Sequence, residues 1–202
     1  MSDTPSSNVA FSKSVKAEQA RMGSRALYEK VEAKGGFRTA ITDDLDAFIA
    51  HLDFFYLASA SADGQPYIQH RGGPKGFLKV LDGATLGFAD FSGNRQYITV
   101  GNLAENDRVQ LFLMDYANRR RIKIWGRGRV VENSDDADLL ARLGDPAYEG
   151  TAERAIVITV TAWDANCPRH IEPRYTEEQV LKVTGKLESR IEELEAEIAR
   201  LK

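Results

Sequence analysis

This sequence has a single cysteine, no long apolar run and only a small net charge. Its 202 residues include one cysteine and carry a formal net charge of −3. The single cysteine, Cys167, excludes an intramolecular disulfide and any metal site built from paired cysteines, so we expect no metal site and a reducing, cytoplasmic setting. The small net charge excludes a globally basic nucleic-acid binder and gives no general attraction to anionic lipid.

The apolar segments are short. Residues 1–10 are polar and small rather than basic and then apolar, so they do not look like a secretory signal, and no apolar run approaches the length of a membrane span. We therefore expect a soluble protein with neither a membrane nor a nucleic-acid partner. A composition of 43% hydrophobic and 28% charged residues suits one globular domain with helical extensions.

Three segments of the chain have sequence patterns that predict helices. Residues 12–33 are rich in Ala, Glu, Lys and Arg with an apolar stripe, which predicts one helix stopped by Gly35 and Gly36. Thr42 is a good N-cap, and the acids after it favour a second helix. Residues 135–143 predict a third, short helix. The apolar face of the second helix consists of Leu45, Phe48, Ile49 and Leu52.

Short β-branched and aromatic runs, separated by turn residues, occupy the centre of the chain. They predict strands over residues 54–61, 66–70, 76–80, 85–90, 109–115 and 120–131. Residues 155–163 are nearly all apolar or β-branched, so they predict a seventh strand that is central and closes the barrel. The predicted fold class is mainly β, a small antiparallel barrel with flanking helices.

The C-terminal segment carries a heptad pattern. Apolar residues and one threonine alternate four and three apart from Val180 to Leu201, as in a coiled coil. In that register Arg190 with Glu195, and Glu197 with Lys202, would pair across a parallel dimer. The alternative is an amphipathic helix packed on its own barrel. We predict an N-terminal tail and helix over residues 1–36, a barrel domain over 37–175 and a C-terminal amphipathic helix over 176–202.

Basic and small residues cluster at the ends of three predicted strands, over residues 70–76, 92–96 and 119–123. Glycines allow backbone amides to approach a ligand, and arginine offers a forked donor suited to phosphate, so Arg71 and Arg95 are candidates to bind one phosphate together. The alternative is a solvated basic strand edge that resists aggregation.

The order of these motifs resembles the flavin-binding core of the pyridoxamine 5'-phosphate oxidase-like family. The matching motifs are Phe77-Leu-Lys79, Phe88-Ala-Asp90, Asn94-Arg-Gln96, Asn106-Asp-Arg108 and the run from Arg120 to Gly126. The resemblance implies an FMN-binding split barrel of the Greek-key antiparallel kind. It also implies a homodimer with the flavin at the subunit interface.

The resemblance implies a set of FMN-binding residues. In it, Arg95 holds the phosphate together with Lys79 and Arg71, while Arg121 approaches the isoalloxazine ring. An arginine near the N1–C2 region of the flavin would stabilise the anionic reduced form. The full set implied for FMN is Arg71, Lys79, Phe88, Ala89, Asp90, Asn94, Arg95, Gln96 and Arg121.

The sequence departs from the family pattern in two places. Gln96 stands where the family has a lysine, and the segment from Trp163 to Arg174 lacks the family's Arg-x-Glu-Phe-Trp substrate motif. Pyridoxamine phosphate oxidation is therefore not expected. The leading hypothesis is an FMN-dependent oxidoreductase acting on an unidentified small molecule, with no catalytic residue identified. The alternatives are a flavin- or haem-binding sensor or carrier without turnover, and an interaction module built around the C-terminal helix.

Three other residues have both a functional and an ordinary interpretation. Residues 166–170 form a predicted loop in which Cys167 is either a reactive thiol or, more simply, a buried cysteine. His170 is a candidate ligand or proton donor. His70 is a candidate proton donor or haem ligand, or simply a hydrogen-bonded strand histidine.

Overall fold

The computed structural model describes residues 4–165 and 167–201 of the chain. A 3-10 helix over Ser6–Val9 comes first. The helices are α1 (Lys13–Arg21), α2 (Arg25–Glu32), α3 (Asp43–Ile49), α4 (Ile98–Glu105), α5 (Ala137–Leu143) and α6 (Glu177–Leu201). The strands are β1 (Phe54–Ala60), β2 (Pro66–Gly72), β3 (Lys79–Asp82), β4 (Thr85–Phe91), β5 (Arg108–Asp115), β6 (Arg120–Glu132) and β7 (Ala152–Ala165).

The strands form one sheet in the order β2-β1-β5-β6-β7-β4-β3, with antiparallel pairing. This is the split-barrel arrangement, and the predicted fold class is confirmed. The last strand, β7, is central as predicted, because it pairs with β6 on one side and β4 on the other. It does not close the barrel, however, since the hydrogen-bonded ladder ends at β2 and β3.

Two details of the helices differ from the sequence expectations. The predicted helix over residues 12–33 is two helices, because Gly23 between α1 and α2 adopts a left-handed backbone conformation with φ +76°. Helix α4 was not expected from the sequence. Thr42 caps α3 as predicted: its side chain accepts a hydrogen bond from the amide of Leu45 at 3.3 Å.

Helix α3 contributes its apolar face to the main core. Leu45, Phe48 and Ile49 are each about 1% exposed and pack with the inward side chains of the sheet. A second, smaller core lies beneath α5, whose Leu143 packs near Ala89 and other residues of β4 and β7. The two cores lie on opposite faces of β4, since successive side chains of a strand alternate between faces.

The N-terminal helices are tied to the chain that follows them. The amide of Ser6 donates a hydrogen bond to the carbonyl of Gly35 at 2.9 Å. Gly36 has φ +95°, and a Cβ there would lie 2.6 Å from the amide nitrogen of Ser7, so glycine is required. Phe37 then stacks on Trp125 of β6, with ring centroids 5.3 Å apart.

The chain forms two compact units. The larger comprises the described residues of 1–114 and 121–167 and contains the sheet. The smaller comprises those of 115–120 and 168–202, and in it the guanidinium of Arg174 lies 4.7 Å from the ring centre of Tyr116. No helix in the described part of the chain is long and apolar enough to cross a membrane.

Candidate functional site: a cavity at the start of helix α4

A cavity of about 190 Å³ lies between β2, the end of β4, the loop that follows it and the first turn of α4. All of these elements belong to the larger unit. The residues that line the cavity are Tyr67, Gln69, Arg71, Asp90, Phe91, Gly93, Asn94, Arg95, Gln96, Tyr97, Ile98, Thr99, Val100 and Glu153.

Strand β2 supplies one wall through the period-two alternation of its side chains. Tyr67, Gln69 and Arg71 are half-buried and line the cavity, whereas the residues between them are exposed on the other face. The side chain of Gln69 accepts a hydrogen bond from the hydroxyl of Thr99 at 3.1 Å. This bond fixes the wall of the cavity to α4.

A second tether holds α4 against the sheet. Asn102 donates a buried hydrogen bond from its side-chain amide to the hydroxyl of Ser59 in β1, at 2.9 Å. Because both partners are buried, losing either would leave an unsatisfied polar group. The first turn of α4 is therefore held in a defined place at the cavity.

The loop before α4 has an unusual backbone. Arg95 and Tyr97 both have positive φ, at 59° and 52°, which is uncommon for residues other than glycine. The side-chain oxygen of Asn94 accepts a hydrogen bond from the amide of Gln96 at 3.2 Å and stabilises the turn. The result places Arg95 on the cavity wall directly before the helix.

The first turn of α4 lines the cavity, and no side chain caps the N-terminus of this helix. Tyr97 occupies the N-cap position and its side chain makes no capping hydrogen bond. The first amide groups of a helix have no partner inside the helix, and together with the helix dipole they favour an anion. Ile98, Thr99 and Val100 of this first turn all line the cavity.

Three charged side chains form what we call the pocket ion cluster: Arg71, Asp90 and Arg154. Asp90 is 6% exposed, and its carboxylate accepts a hydrogen bond from the guanidinium of Arg71. Arg154 of β7 lies farther away, with 3.9 Å between its Nη1 and the other carboxylate oxygen. Arg154 also lies over the ring of Tyr97, 5.1 Å from its centre.

Burial sets the titration of Asp90. Loss of water around the carboxyl raises its pKa above the usual value, and the positive charges of Arg71 and Arg154 only partly oppose this. The cluster still offers donors, because Nε of Arg71 is buried and has no hydrogen-bond partner among the described residues. Arg95 is exposed and makes no ion pair within the described chain.

The structure brings five of the nine residues expected to bind FMN to this cavity: Arg71, Asp90, Asn94, Arg95 and Gln96. Phe88 lies next to them in β4, but it is buried in the main core, with its ring 5.7 Å from the guanidinium of Arg71. Ala89 points to the opposite face of β4 and packs in the core beneath α5.

Two of the expected residues lie elsewhere. The ammonium group of Lys79 donates hydrogen bonds to the carbonyls of Arg142 and Gly144, at 2.7 and 3.4 Å, where it caps the C-terminus of α5. Arg121 lies on β6, is half-buried, and its Nε has no hydrogen-bond partner among the described residues. Neither residue lines the cavity.

Side chains alternate between the two faces of the strand that carries Arg121. Ile122 and Ile124 are buried, while Lys123 and Trp125 lie on the other face with Arg121. The ammonium of Lys123 lies 3.2 Å from the carboxylate of Asp164 on β7. Part of this basic face is thus neutralised by the neighbouring strand.

Sequence reasoning missed several residues of the cavity, among them Tyr67, Gln69, Thr99 and Glu153. The alternation of residues 66–71 was a signal for the first two, because it places them on the same face as Arg71. Thr99 required knowledge of α4, and Glu153 required the pairing of β4 with β7. Arg154, which joins the pocket ion cluster from β7, was missed for the same reason.

The remaining candidates lie outside the cavity. His70 is exposed on β2, where its ring stacks on Phe54 with centroids 5.4 Å apart. Cys167 is exposed, so the expectation of a buried cysteine was wrong. His170 is also exposed and has φ +63°. Asn166, in the same predicted loop, is outside the described residues.

Solved structures with a similar fold come from several bacteria. A pyridoxamine 5'-phosphate oxidase homologue of Lactobacillus delbrueckii is 18% identical with a TM-score of 0.48, over 63% of this chain and 95% of that one. The HupZ protein of Group A Streptococcus is 14% identical with a TM-score of 0.47, over 67% and 99%. An FMN-binding protein of Syntrophomonas wolfei is 15% identical with a TM-score of 0.45, over 77% and 96%.

Comparison at the level of sequence identifies the family. No curated protein sequence matches the chain significantly. The family model described as pyridoxamine 5'-phosphate oxidase matches residues 41–167, which is more than half of the chain and contains β1 to β7 with the cavity. The chain therefore belongs to the pyridoxamine 5'-phosphate oxidase family.

Proposed function

We propose that the cavity binds the phosphate of FMN and that the protein is an FMN-dependent oxidoreductase acting on a small molecule. The observation that carries this proposal is the position of Arg95. It lines the cavity without an ion-pair partner in the described chain, directly before the uncapped N-terminus of α4. A guanidinium and free helix amides around one cavity suit a phosphate monoester.

The residues present fit the phosphate end of FMN. Arg95 offers a forked pair of donors, and the first turn of α4 offers backbone amides. Asp90 holds Arg71 in position, and the unpartnered Nε of Arg71 would be satisfied by an additional acceptor. Flavin, when bound, supplies the hydride and electron chemistry. The protein's part is to bind and orient it.

We include Arg121 in this proposal as a contact to the flavin ring. The family resemblance assigns it that role, and its buried Nε has no hydrogen-bond partner among the described residues. A carbonyl oxygen of the isoalloxazine would satisfy that donor and would place a positive charge beside the ring. Such a charge stabilises the anionic reduced flavin.

We also propose that the active form is a homodimer in the cytoplasm. The outward face of β1 and β2 carries Phe54, Tyr56 and Ile68, and Ile68 is 63% exposed. Covering such a patch with a second copy would bury apolar surface. The family resemblance implies that the flavin lies at the subunit interface, so FMN binding and dimerisation should strengthen each other. The single cysteine supports a reducing compartment.

The first experiment is the absorbance spectrum of freshly purified protein, with the released chromophore identified by mass. Released FMN supports the proposal. A sharp Soret band would show that the protein binds haem instead. If the protein is colourless, the next step is titration of the apoprotein with FMN. If apoprotein fails to bind FMN, the proposal is wrong. Bound flavin that no electron donor reduces and no acceptor reoxidises would favour a carrier without turnover.

Substitution of Arg95 tests the phosphate site itself. Arg95→Ala should weaken FMN binding by about 1.5–3 kcal/mol, roughly 10- to 150-fold, because it removes a charge-assisted hydrogen bond. The matched control is Arg127→Ala, which removes an exposed arginine paired with Asp107 outside the cavity. Equal affinity of the two variants, measured by fluorescence titration, would refute the assignment of Arg95.

A further inference from the structure

Helix α6 presents a stripe of apolar residues from Val180 to Leu201, interrupted by Thr184. It runs for 25 residues from Glu177 to Leu201, about 37 Å at 1.5 Å per residue, and none of its residues is buried. Leu187 is 59% exposed, Ile191 55% and Ile198 53%. Exposed aliphatic side chains spaced four and three apart are the seam of a coiled coil rather than of a solvated helix.

The residue types along the stripe specify how many helices associate. In heptad notation the d positions hold leucine three times, with valine at the N-terminal end. The a positions hold Ile191 and Ile198, preceded by Thr184. β-Branched residues at a with leucine at d favour two parallel strands over three or four. The d positions are Val180, Leu187, Leu194 and Leu201.

The charges beside the stripe specify the direction. In a parallel pair, Arg190 at g faces Glu195 at e of the second copy. The other pair expected from the heptad register, Glu197 with Lys202, includes a residue outside those that the structure describes. The Arg190–Glu195 contact occurs twice by symmetry and is attractive both times. Arg190 bonds Glu193 of its own helix at 2.7 Å, an exposed pair that contributes little and is easily exchanged.

The antiparallel alternative creates repulsion. The register that aligns the a and d layers places Ile191 opposite Leu194 of the second copy. Glu188 then faces Glu195 across one side of the seam, twice by symmetry, while Arg190 faces Glu197 on the other. In the antiparallel arrangement the repulsive pairs therefore offset the attractive ones. The parallel arrangement has no like-charge pair between its g and e positions, so it is favoured.

We propose that α6 binds α6 of a second copy of this chain as a parallel, in-register, two-stranded coiled coil. The partner surface is the stripe itself, and the flanking charges select its direction. This interaction is independent of the proposed flavin site, because none of the residues of the stripe lines the cavity at α4.

Disulfide trapping of the full chain tests this proposal. Thr184 occupies an a position without contributing a large apolar side chain, so Thr184→Cys in a Cys167→Ser background disturbs the seam little. In a parallel pair the two introduced cysteines face each other and should cross-link under mild oxidation. In the antiparallel register they lie 17 residues apart along the seam, about 25 Å, and do not react.

The matched control is Ser189→Cys in the same background, because Ser189 lies at f on the outward side of the helix. Covalent dimer at residue 184 but not at 189, on a non-reducing gel, supports the proposal. Equal cross-linking at both positions, or none at residue 184, would overturn it. Neither result depends on whether the protein binds FMN, so the two proposals fail separately.

A charge reversal provides a second readout. Glu195→Arg should lower the yield of the residue-184 cross-link, because two arginines then face each other in the parallel pair. Adding Arg190→Glu exchanges the charges and should restore the yield. If Glu195→Arg instead raises dimer formation and the 184 cross-link stays absent, the helices are antiparallel and the proposal is wrong.

Discussion

Two clusters of polar and charged residues in the larger unit have similar members and different roles. The N-terminal ion cluster consists of Lys16, Gln19, Arg25 and Glu32, and the pocket ion cluster of Arg71, Asp90 and Arg154. In the first, Lys16 lies 2.7 Å from Glu32, and Arg25 donates to both Gln19 and Glu32. In the second, one buried acid is shared between two arginines.

The pKa values of the two acids move in opposite directions. A hydrogen bond from Lys16, together with the charge of Arg25, lowers the pKa of Glu32. Burial raises the pKa of Asp90 in spite of its arginines. The N-terminal ion cluster stabilises the ionised carboxylate of Glu32. Its side chains also join α1 to α2. The pocket ion cluster keeps a desolvated acid and an unpartnered donor beside a cavity, which is typical of a binding site.

The largest effect should follow from breaking the buried pair. Arg71→Leu leaves Asp90 desolvated, with only the more distant Arg154 near it, and should lower the free energy of unfolding by about 2–3 kcal/mol. Urea denaturation measures this. The control, Arg127→Leu, disrupts the exposed pair with Asp107 and should change it by less than about 0.5 kcal/mol. Similar losses of unfolding free energy in both variants would show that the buried pair contributes no more to stability than the exposed pair.

The pH dependence of Asp90 has a predicted sign. Its pKa in the folded protein is raised, so the folded state binds a proton more tightly than the unfolded chain does. The stability of the wild type relative to Asp90→Asn should therefore fall as the pH rises from the ordinary aspartate value of about 3.8 through the raised pKa. Denaturation curves at several pH values measure it, and a relative stability that rises with pH would refute the prediction.

Glu32 should show the opposite dependence, and a smaller one. Its pKa in the folded protein is lowered, so its contribution is fully present above the unfolded value of about 4.5 and is lost as the pH falls through the lowered pKa. The stability of the wild type relative to Glu32→Gln should thus decrease on acidification. A difference between the two proteins that does not change with pH would show that the cluster does not favour the ionised acid.

Substitution of Lys79 should have the smallest effect on stability, and it tests whether this residue belongs to the binding site. Because its ammonium caps α5, Lys79→Met should lower the free energy of unfolding by about 0.5–1 kcal/mol. It should leave FMN affinity unchanged, in contrast to Arg95→Ala, since Lys79 does not line the cavity. Loss of FMN affinity in this variant would return Lys79 to the phosphate site that the resemblance implied.

Sequence patterns predicted local structure well where a single period dominates. The β-branched run over residues 120–131 predicted β6, and Thr42 began α3 as expected. The split at Gly23 was missed because a single glycine inside a helical pattern gives only a weak signal. Helix α4 was missed because it lacks the N-cap residue that precedes α3 and α5: Tyr97 stands there, and its side chain makes no capping hydrogen bond.

The candidate site was likewise predicted only in part from the sequence. The segment around Arg95 marked the cavity in advance, because small residues beside a basic one in a turn are typical of anion sites. Lys79 belongs to the same motif but points to α5, since the direction of a strand-end side chain depends on what packs beside it. Asp90 could be placed on a strand, but its burial depends on neighbours far away in sequence.

The sequence by itself determined the strands, the heptad stripe of α6 and the basic segments, because these depend on periods and on residue types close together in the chain. Only the tertiary structure decided that Arg71, Asp90 and Arg154, from β2, β4 and β7, meet at one cavity. Strand pairing joins residues that are distant in sequence, and burial then changes the energy of their charges. Neither effect has a local signature in the chain.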